Sequence, residues 1–127
     1  MSAANKAFMT RYLEALSGNA KTPELVNRYV ADSDQDLKDH IAFFEAAFPR
    51  YALNVVEMMA EGNKVFVRAR FIGTHKGDLM GIAPTNKTVE ADAAILYEVA
   101  DGKIVSHWLL ADQASLMQQL GAVPENA

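Results

Sequence analysis

The sequence predicts an α+β domain in which N-terminal helices cover one face of a curved antiparallel sheet. Apolar residues recur at helical spacing in the first half of the chain, and the second half holds two pairs of apolar runs joined by tight-turn sequences. With 127 residues the chain is long enough for one domain with its own core, so we expect a single domain over residues 1–127.

The predicted helices have clear start and stop signals. The first ends at Gly18, a short second one begins with Thr22 as N-cap and Pro23 as first residue, and a third runs from Asp36 to the stop at Pro49. Their apolar stripes predict that they pack on an apolar surface. The stripes are formed by Phe8, Tyr12, Leu13 and Leu16, and by Leu37, Ile41, Phe44 and Phe48, with His40 beside the second stripe.

Gly62–Asn63 and Asp101–Gly102 are turn sequences that predict two β-hairpins. The first hairpin joins strands over 53–61 and 64–75, and counting from its turn places Glu57 opposite Arg68. The second joins strands over 88–99 and 103–111, and an irregular crossing over 77–87 links the hairpins. A final helix follows Asp112 and is expected to stop at Gly121.

The register of the second hairpin predicts the candidate site. Counting from Asp101–Gly102 places Ile95 opposite Trp108, Ala93 opposite Leu110 and Ala91 opposite Asp112. Those residues then share one face with Tyr97, and that face is apolar and aromatic with a carboxylate at its end. We expect Asp112 to lie at the edge of a hydrophobic pocket.

Composition and charge exclude several function classes. A formal net charge of −4 without a basic run argues against nucleic-acid binding. The absence of cysteine excludes disulfides and thiolate chemistry and fits a cytoplasmic protein. No apolar run is long enough to span a membrane, and the N-terminus lacks the apolar segment of a signal peptide. The spacing of the three histidines predicts no metal site.

The opposite face of the predicted sheet carries more apolar residues than a monomer usually exposes to water. It comprises Leu96, Ala94, Val105, Leu109, Met59, Phe66 and Ile72, mixed with Arg68, Arg70 and Glu98. Because a large apolar patch is rarely left in water, we expect a homodimer formed through this sheet face.

Several motifs occur in the same order as in a known family. They are Glu61–Val65, Gly73–Gly77, Gly81–Thr85, Asp101–Ile104, the Trp108-to-Asp112 spacing and Gln118–Gly121. With these motifs the chain resembles the SnoaL-like polyketide cyclases of the nuclear transport factor 2-like superfamily. The resemblance implies a cone-like α+β barrel, a pocket between helices and sheet, a homodimer through the sheet, and chemistry without metal or cofactor. Asn63 and Asn86 depart from the family pattern, at turn positions.

In that family an aspartate at the end of the last strand serves as acid and base, and Asp112 is the matching residue. Burial against Trp108 would suit this role, because it would raise the carboxyl pKa. Asp112 is equally placed to be the N-cap of the last helix. His75, beside a glycine-rich loop, is the second catalytic candidate, and a hydrogen bond to loop backbone is the alternative. His107 is expected at the interface or in solvent.

We expect the ligand to be a hydrophobic small molecule. The predicted ligand-binding residues are Trp108, Tyr97, Tyr12, His40 and Leu110. Two functions remain open from the sequence. The first is a small enzyme that cyclises, isomerises or hydrolyses a polyketide-like or cyclic carbonyl compound through Asp112. The second is a non-catalytic module that holds an apolar ligand in the same fold.

Overall fold

The computed structural model describes residues 2–121 and shows the predicted α+β architecture. Residue 1 and residues 122–127 of the predicted domain lie outside the described residues. The helices are α1 (Ser2–Leu16), α2 (Pro23–Tyr29), α3 (Gln35–Ala47) and α4 (Gln113–Leu120), with a 3₁₀ turn over Asp32–Asp34. The strands are β1 (Ala52–Glu61), β2 (Lys64–Thr74), β3 (Thr88–Ala100) and β4 (Lys103–Ala111), in a curved antiparallel sheet of order β1-β2-β3-β4.

The helix ends follow the local signals in the sequence. The Thr22 hydroxyl accepts a hydrogen bond from the Leu25 amide at 3.2 Å, and Pro23 is the first residue of α2, as predicted. Asp34 caps α3 by accepting from the Leu37 amide at 3.1 Å. Helix α4 ends at Gly121, whose φ of 77° is the left-handed conformation that glycine adopts without strain.

The helices bury their apolar stripes against one face of the sheet, which we call the inner face. On β2 this face is formed by Val65, Val67, Ala69 and Phe71, and on β3 by Val89, Ala91, Ala93, Ile95, Tyr97 and Val99, all of them buried. The alternation of buried and less buried residues along both strands is the period of two expected for a sheet covered on one side. The opposite side is called the outer face below.

A buried lysine ties the helices to the start of the sheet. Lys21 donates through its Nζ to the Tyr51 carbonyl at 2.7 Å and to the Asn19 carbonyl at 2.9 Å. The same ammonium lies 3.3 Å from a Glu45 carboxylate oxygen and 3.8 Å from the centre of the Tyr51 ring. Burial lowers the pKa of Lys21, and the neighbouring Glu45 carboxylate opposes that effect.

The first hairpin keeps the predicted register near its turn. Glu61 pairs with Lys64 and Glu57 pairs with Arg68, whose guanidinium lies 3.2 Å from the Glu57 carboxylate. Between Val55 and Glu57 the register shifts at a β-bulge. Val56 is therefore the extra residue and is 52% exposed, although simple alternation from Glu57 would place it on the inner face.

The predicted register of the second hairpin is wrong beyond its first two pairs. The turn forms as expected, with positive φ at Asp101 and Gly102, but a bulge inserts Val105 between the Val99–Ile104 and Glu98–Ser106 pairs. A one-residue shift moves every later side chain of β4 to the other face. Trp108 consequently lies opposite Leu96 on the outer face, and Leu110 is also on that face.

The bulge gives the inner face a different set of β4 residues. His107 pairs with Tyr97, Leu109 with Ile95 and Ala111 with Ala93. His107 and Leu109 had been assigned to the outer face from the sequence, so both assignments are corrected. Asp112 follows Ala111, and its amide donates to the Asp92 carbonyl at 3.0 Å. Within residues 2–121, no helix is long and apolar enough to cross a membrane.

Candidate functional site

A cavity of about 70 Å³ lies between α1, α3 and the inner face. Most of its wall is apolar, because the facing stripes of the helices and strands supply it. Its polar side chains include Tyr12, His40, Tyr51, Tyr97 and Gln113, and its apolar wall includes Leu37, Ile41, Phe44, Leu53, Phe71, Ile95 and Leu109. An apolar cavity with a few polar groups is the usual composition of a small-molecule site.

Two tyrosine hydroxyls are paired in this cavity wall. The Tyr12 and Tyr97 hydroxyls form a pair, and the two rings meet edge to face with centroids 5.8 Å apart. Burial raises the pKa of both hydroxyls well above the ordinary value, and the negative charge of Asp34 adds to the increase. Both groups therefore stay protonated near neutral pH. When one hydroxyl of the pair donates to the other, the hydrogen of the accepting hydroxyl remains available to a ligand.

His40 lies in the cavity wall on α3, half-buried, with its ring 4.7 Å from that of Phe44. Burial lowers the pKa of His40, and His107 lowers it further whenever that nearby imidazole is protonated. His40 is consequently a neutral imidazole near pH 7, able to accept or donate one hydrogen bond.

A histidine–carboxylate pair lies next to these groups. His107 Nδ1 is 2.7 Å from the Asp34 Oδ2 atom, and Asp34 is only 6% exposed. The other oxygen of the same carboxylate caps α3. One buried carboxylate thus orients a histidine of β4 and stabilises the first turn of a helix.

The structure brings three of the predicted ligand-binding residues into the cavity wall, namely Tyr12, Tyr97 and His40. It does not bring Trp108 and Leu110 there, because the bulge in β4 turns them to the outer face, where they are 56% and 62% exposed. Their binding role remains a prediction, and these positions give it no support within one protomer.

Asp112, the first catalytic candidate, is exposed and is absent from the cavity wall. Its Oδ1 atom accepts a hydrogen bond from the Ser115 amide at 3.1 Å, which makes it the N-cap of α4. The capping alternative therefore describes its contacts. The burial against Trp108 that the sequence predicted is missing, because Trp108 is itself exposed. Its catalytic role stays a prediction without support from its position.

His75, the second catalytic candidate, is fully buried and does not line the cavity. Its Nδ1 accepts a hydrogen bond from the Thr85 amide at 3.2 Å, and its ring packs on Phe48 with centroids 5.4 Å apart. Among the described residues, Nε2 has no hydrogen-bond partner. These contacts match the alternative of a histidine bonded to loop backbone, and they separate His75 from the cavity groups.

Sequence reasoning missed Asp34 and His107. The only signal for Asp34 was its place in a polar loop before a helix. That place predicts that one carboxylate oxygen caps the helix, but it does not predict a partner for the second oxygen. His107 was placed on the wrong face because no residue type in β4 indicates the bulge. Over residues 2–121, no three acidic or histidine side chains are close enough together to hold a metal ion.

Helices that cover the inner face of a curved antiparallel sheet, with a cavity between the layers, define the nuclear transport factor 2-like fold. Within that fold the chain belongs to the SnoaL-like polyketide cyclase family, whose model matches residues 2–120. No curated protein sequence matches the chain significantly.

Several solved structures share this fold. AclR, a proposed hydroxylase from Streptomyces galilaeus, is 26% identical with a TM-score of 0.84, over 98% of this chain and 85% of that one. A proposed SnoaL-like polyketide cyclase from Jannaschia sp. CCS1 is 20% identical with a TM-score of 0.82, over 97% and 95%. IdmH, a proposed polyketide cyclase from Streptomyces antibioticus, is 23% identical with a TM-score of 0.76, over 92% and 98%.

Proposed function

We propose that the protein binds a compact apolar carbonyl compound of the polyketide-like class in its cavity and converts it by acid–base catalysis without a cofactor. Membership of the SnoaL-like family supports a cyclase-type reaction. The observation that carries the proposal is the Tyr12–Tyr97 hydroxyl pair in a mostly apolar cavity wall. Cyclisation or isomerisation of a ketone needs a donor for its oxygen and a group that moves a proton.

The hydroxyl pair is suited to bind a carbonyl oxygen. Tyr97 can donate its hydrogen to that oxygen while it accepts from Tyr12, and hydrogen bonds in such a chain polarise one another. As the carbonyl becomes an enolate, its oxygen gains negative charge, and a fixed donor in an apolar cavity stabilises that charge more than water would. The donor therefore favours the transition state over the bound ketone.

Cavity size sets a requirement on binding. A cavity of about 150 Å³ in another protein holds benzene, whereas this one measures about 70 Å³. A ring compound can enter only if lining side chains move outward. His40 and Phe44 are the suitable pair, because both are only half-buried and lie on α3.

The test uses cyclohexanone, a small cyclic ketone, in D₂O. We expect it to bind, as seen by NMR titration, and its α-hydrogens to exchange for deuterium faster than in buffer. Tyr97→Phe should slow the exchange, because it removes the donor to the ketone oxygen. Tyr29→Phe is the matched control, since Tyr29 packs against Tyr12 with ring centroids 5.7 Å apart but does not line the cavity.

The second candidate function is a ligand-holding module without catalysis. The exposed, capping position of Asp112 favours it, because the carboxylate expected to transfer protons is absent from the cavity wall. Cyclohexanone that binds but exchanges no faster than in buffer would select this function. Absence of binding would overturn both candidates.

We also propose that the protein is a homodimer paired through the outer face. Met59, Trp108 and Leu110 are each at least 56% exposed there, an apolar patch of the kind that proteins cover. Light scattering at micromolar concentration should give twice the monomer mass, and Leu110→Lys should give a monomer. Because Trp108 is the sole tryptophan, its iodide quenching should increase on dissociation. A monomeric wild type would contradict this proposal.

A further inference from the structure

The His107–Asp34 pair has the geometry of an oriented general base. With Asp34 Oδ2 only 2.7 Å away, a neutral His107 places its proton on Nδ1 and donates it to the carboxylate. The other ring nitrogen, Nε2, then carries a lone pair that can accept a proton. No described residue of 2–121 forms a hydrogen bond with His107 Nε2, whereas both Asp34 oxygens have partners.

The pair lies beside residues that line the cavity, but neither His107 nor Asp34 lines it. A ligand can therefore meet Nε2 only through the outward movement of lining side chains that binding already requires. His107 is the cross-strand neighbour of Tyr97 on the inner face, and Leu109, two residues further on that face, lines the cavity. His107 is also close enough to lower the pKa of His40 by its charge. The Asp34 charge likewise raises the pKa of Tyr97. A donor for a ketone oxygen and an acceptor for its α-proton thus belong to one cluster.

We propose that His107 is the general base of this cavity and that Asp34 is its positioning residue, an inference that rests on the proposed function above. His107 Nε2 removes a proton from the carbon next to the ligand carbonyl. The C–H electron pair forms the carbon–carbon double bond of an enolate, and the carbonyl π pair moves to the oxygen that Tyr97 binds. The imidazolium, stabilised by the Asp34 carboxylate, returns the proton to carbon or to an oxygen formed during ring closure.

A purely structural pair would hold β4 to the start of α3 and do nothing else. Two variants separate these roles. His107→Gln removes the base, and Asp34→Asn keeps a residue that caps helices well but removes the charge. If the pair is catalytic, His107→Gln should slow deuterium exchange into cyclohexanone by about 100-fold or more, with binding changed less than about threefold. Asp34→Asn should also lower the exchange rate at unchanged binding.

Nitrogen-15 NMR of the histidine ring gives a readout that a structural role would not change. Wild-type His107 should be the Nδ1–H tautomer, and Asp34→Asn should lose that preference. Phenol, an enol analogue, should shift the Nε2 resonance as it saturates the cavity, because its hydroxyl donates to that nitrogen. This measurement does not require that cyclohexanone be turned over.

The outcomes distinguish the two proposals. Exchange that persists in His107→Gln, or phenol that saturates the cavity without moving Nε2, overturns the assignment of His107 and leaves the ligand cavity intact. Exchange lost in Asp112→Asn but kept in His107→Gln also overturns it and returns the role to Asp112. Failure of both cyclohexanone and phenol to bind overturns the proposed function, and the assignment of His107 with it.

Discussion

Alkaline pH should destabilise this protein through its buried tyrosines. Burial raises the pKa of Tyr12, Tyr51 and Tyr97 above the ordinary value near 10. Above about pH 10 the unfolded chain loses these protons while the folded protein keeps them, so the unfolded state binds fewer protons. The free energy of unfolding therefore has its full value below that pH. It falls as the pH rises towards the pKa values of the tyrosines in the folded protein.

The magnitude follows from the number of groups. Each tyrosine that is neutral when folded and ionised when unfolded costs about 1.4 kcal/mol per pH unit. Three such groups together cost about 4 kcal/mol per pH unit, against a total stability of roughly 5–15 kcal/mol. Tyr12→Phe removes one of them. At neutral pH it should lose about 1 kcal/mol with the hydrogen bond to Tyr97, and that deficit should shrink by about 1.4 kcal/mol per pH unit above about pH 10.

The assay is urea unfolding of wild type and Tyr12→Phe from about pH 8 to about pH 11. Phe8→Leu is the matched control, because Phe8 is buried on the same helix and cannot ionise. Its stability difference from wild type should stay constant with pH. If the difference for Tyr12→Phe also stayed constant, Tyr12 would ionise as in the unfolded chain and the reasoning from burial would fail.

Two further predictions concern stability. Gly77→Ala should cost at least about 3 kcal/mol, because its Cβ atom would lie 2.0 Å from the Ala46 carbonyl oxygen. The Cβ atom of Gly81→Ala would meet nothing within 4 Å. That variant should cost only about 1–2 kcal/mol, from its positive φ. Lys21→Met should cost about 3 kcal/mol, because it leaves a carboxylate and two carbonyls without their buried donor. Lys38→Met removes one partner of a surface ion pair and should cost less than about 1 kcal/mol.

Urea unfolding at pH 7 measures both pairs. Equal losses for the two glycine variants would contradict the close approach at Gly77. A Lys21→Met protein as stable as Lys38→Met would show that the buried ammonium contributes no net stability.

The parts of the fold that the sequence predicted depend on short-range rules. Thr22 and Pro23 start a helix, Gly121 ends one, and Gly62–Asn63 closes a hairpin because each residue type suits the local backbone conformation. The helical spacing of the apolar residues placed Tyr12 correctly in the stripe of the first helix. The error in β4 had a different origin: a bulge costs little locally, and nothing in the turn sequence indicates one.

The sequence alone determined the order of the helices and strands, the positions of the turns and the α+β class, because these follow from periodicity and turn chemistry. Tertiary structure decided which face of β4 meets the helices, since the bulge at Val105 turns Leu109 towards them and Trp108 away from them. It also decided that Asp34 and His107, 73 residues apart, form one hydrogen-bonded pair. Contacts between distant segments depend on how whole layers pack, and local residue patterns carry no information about them.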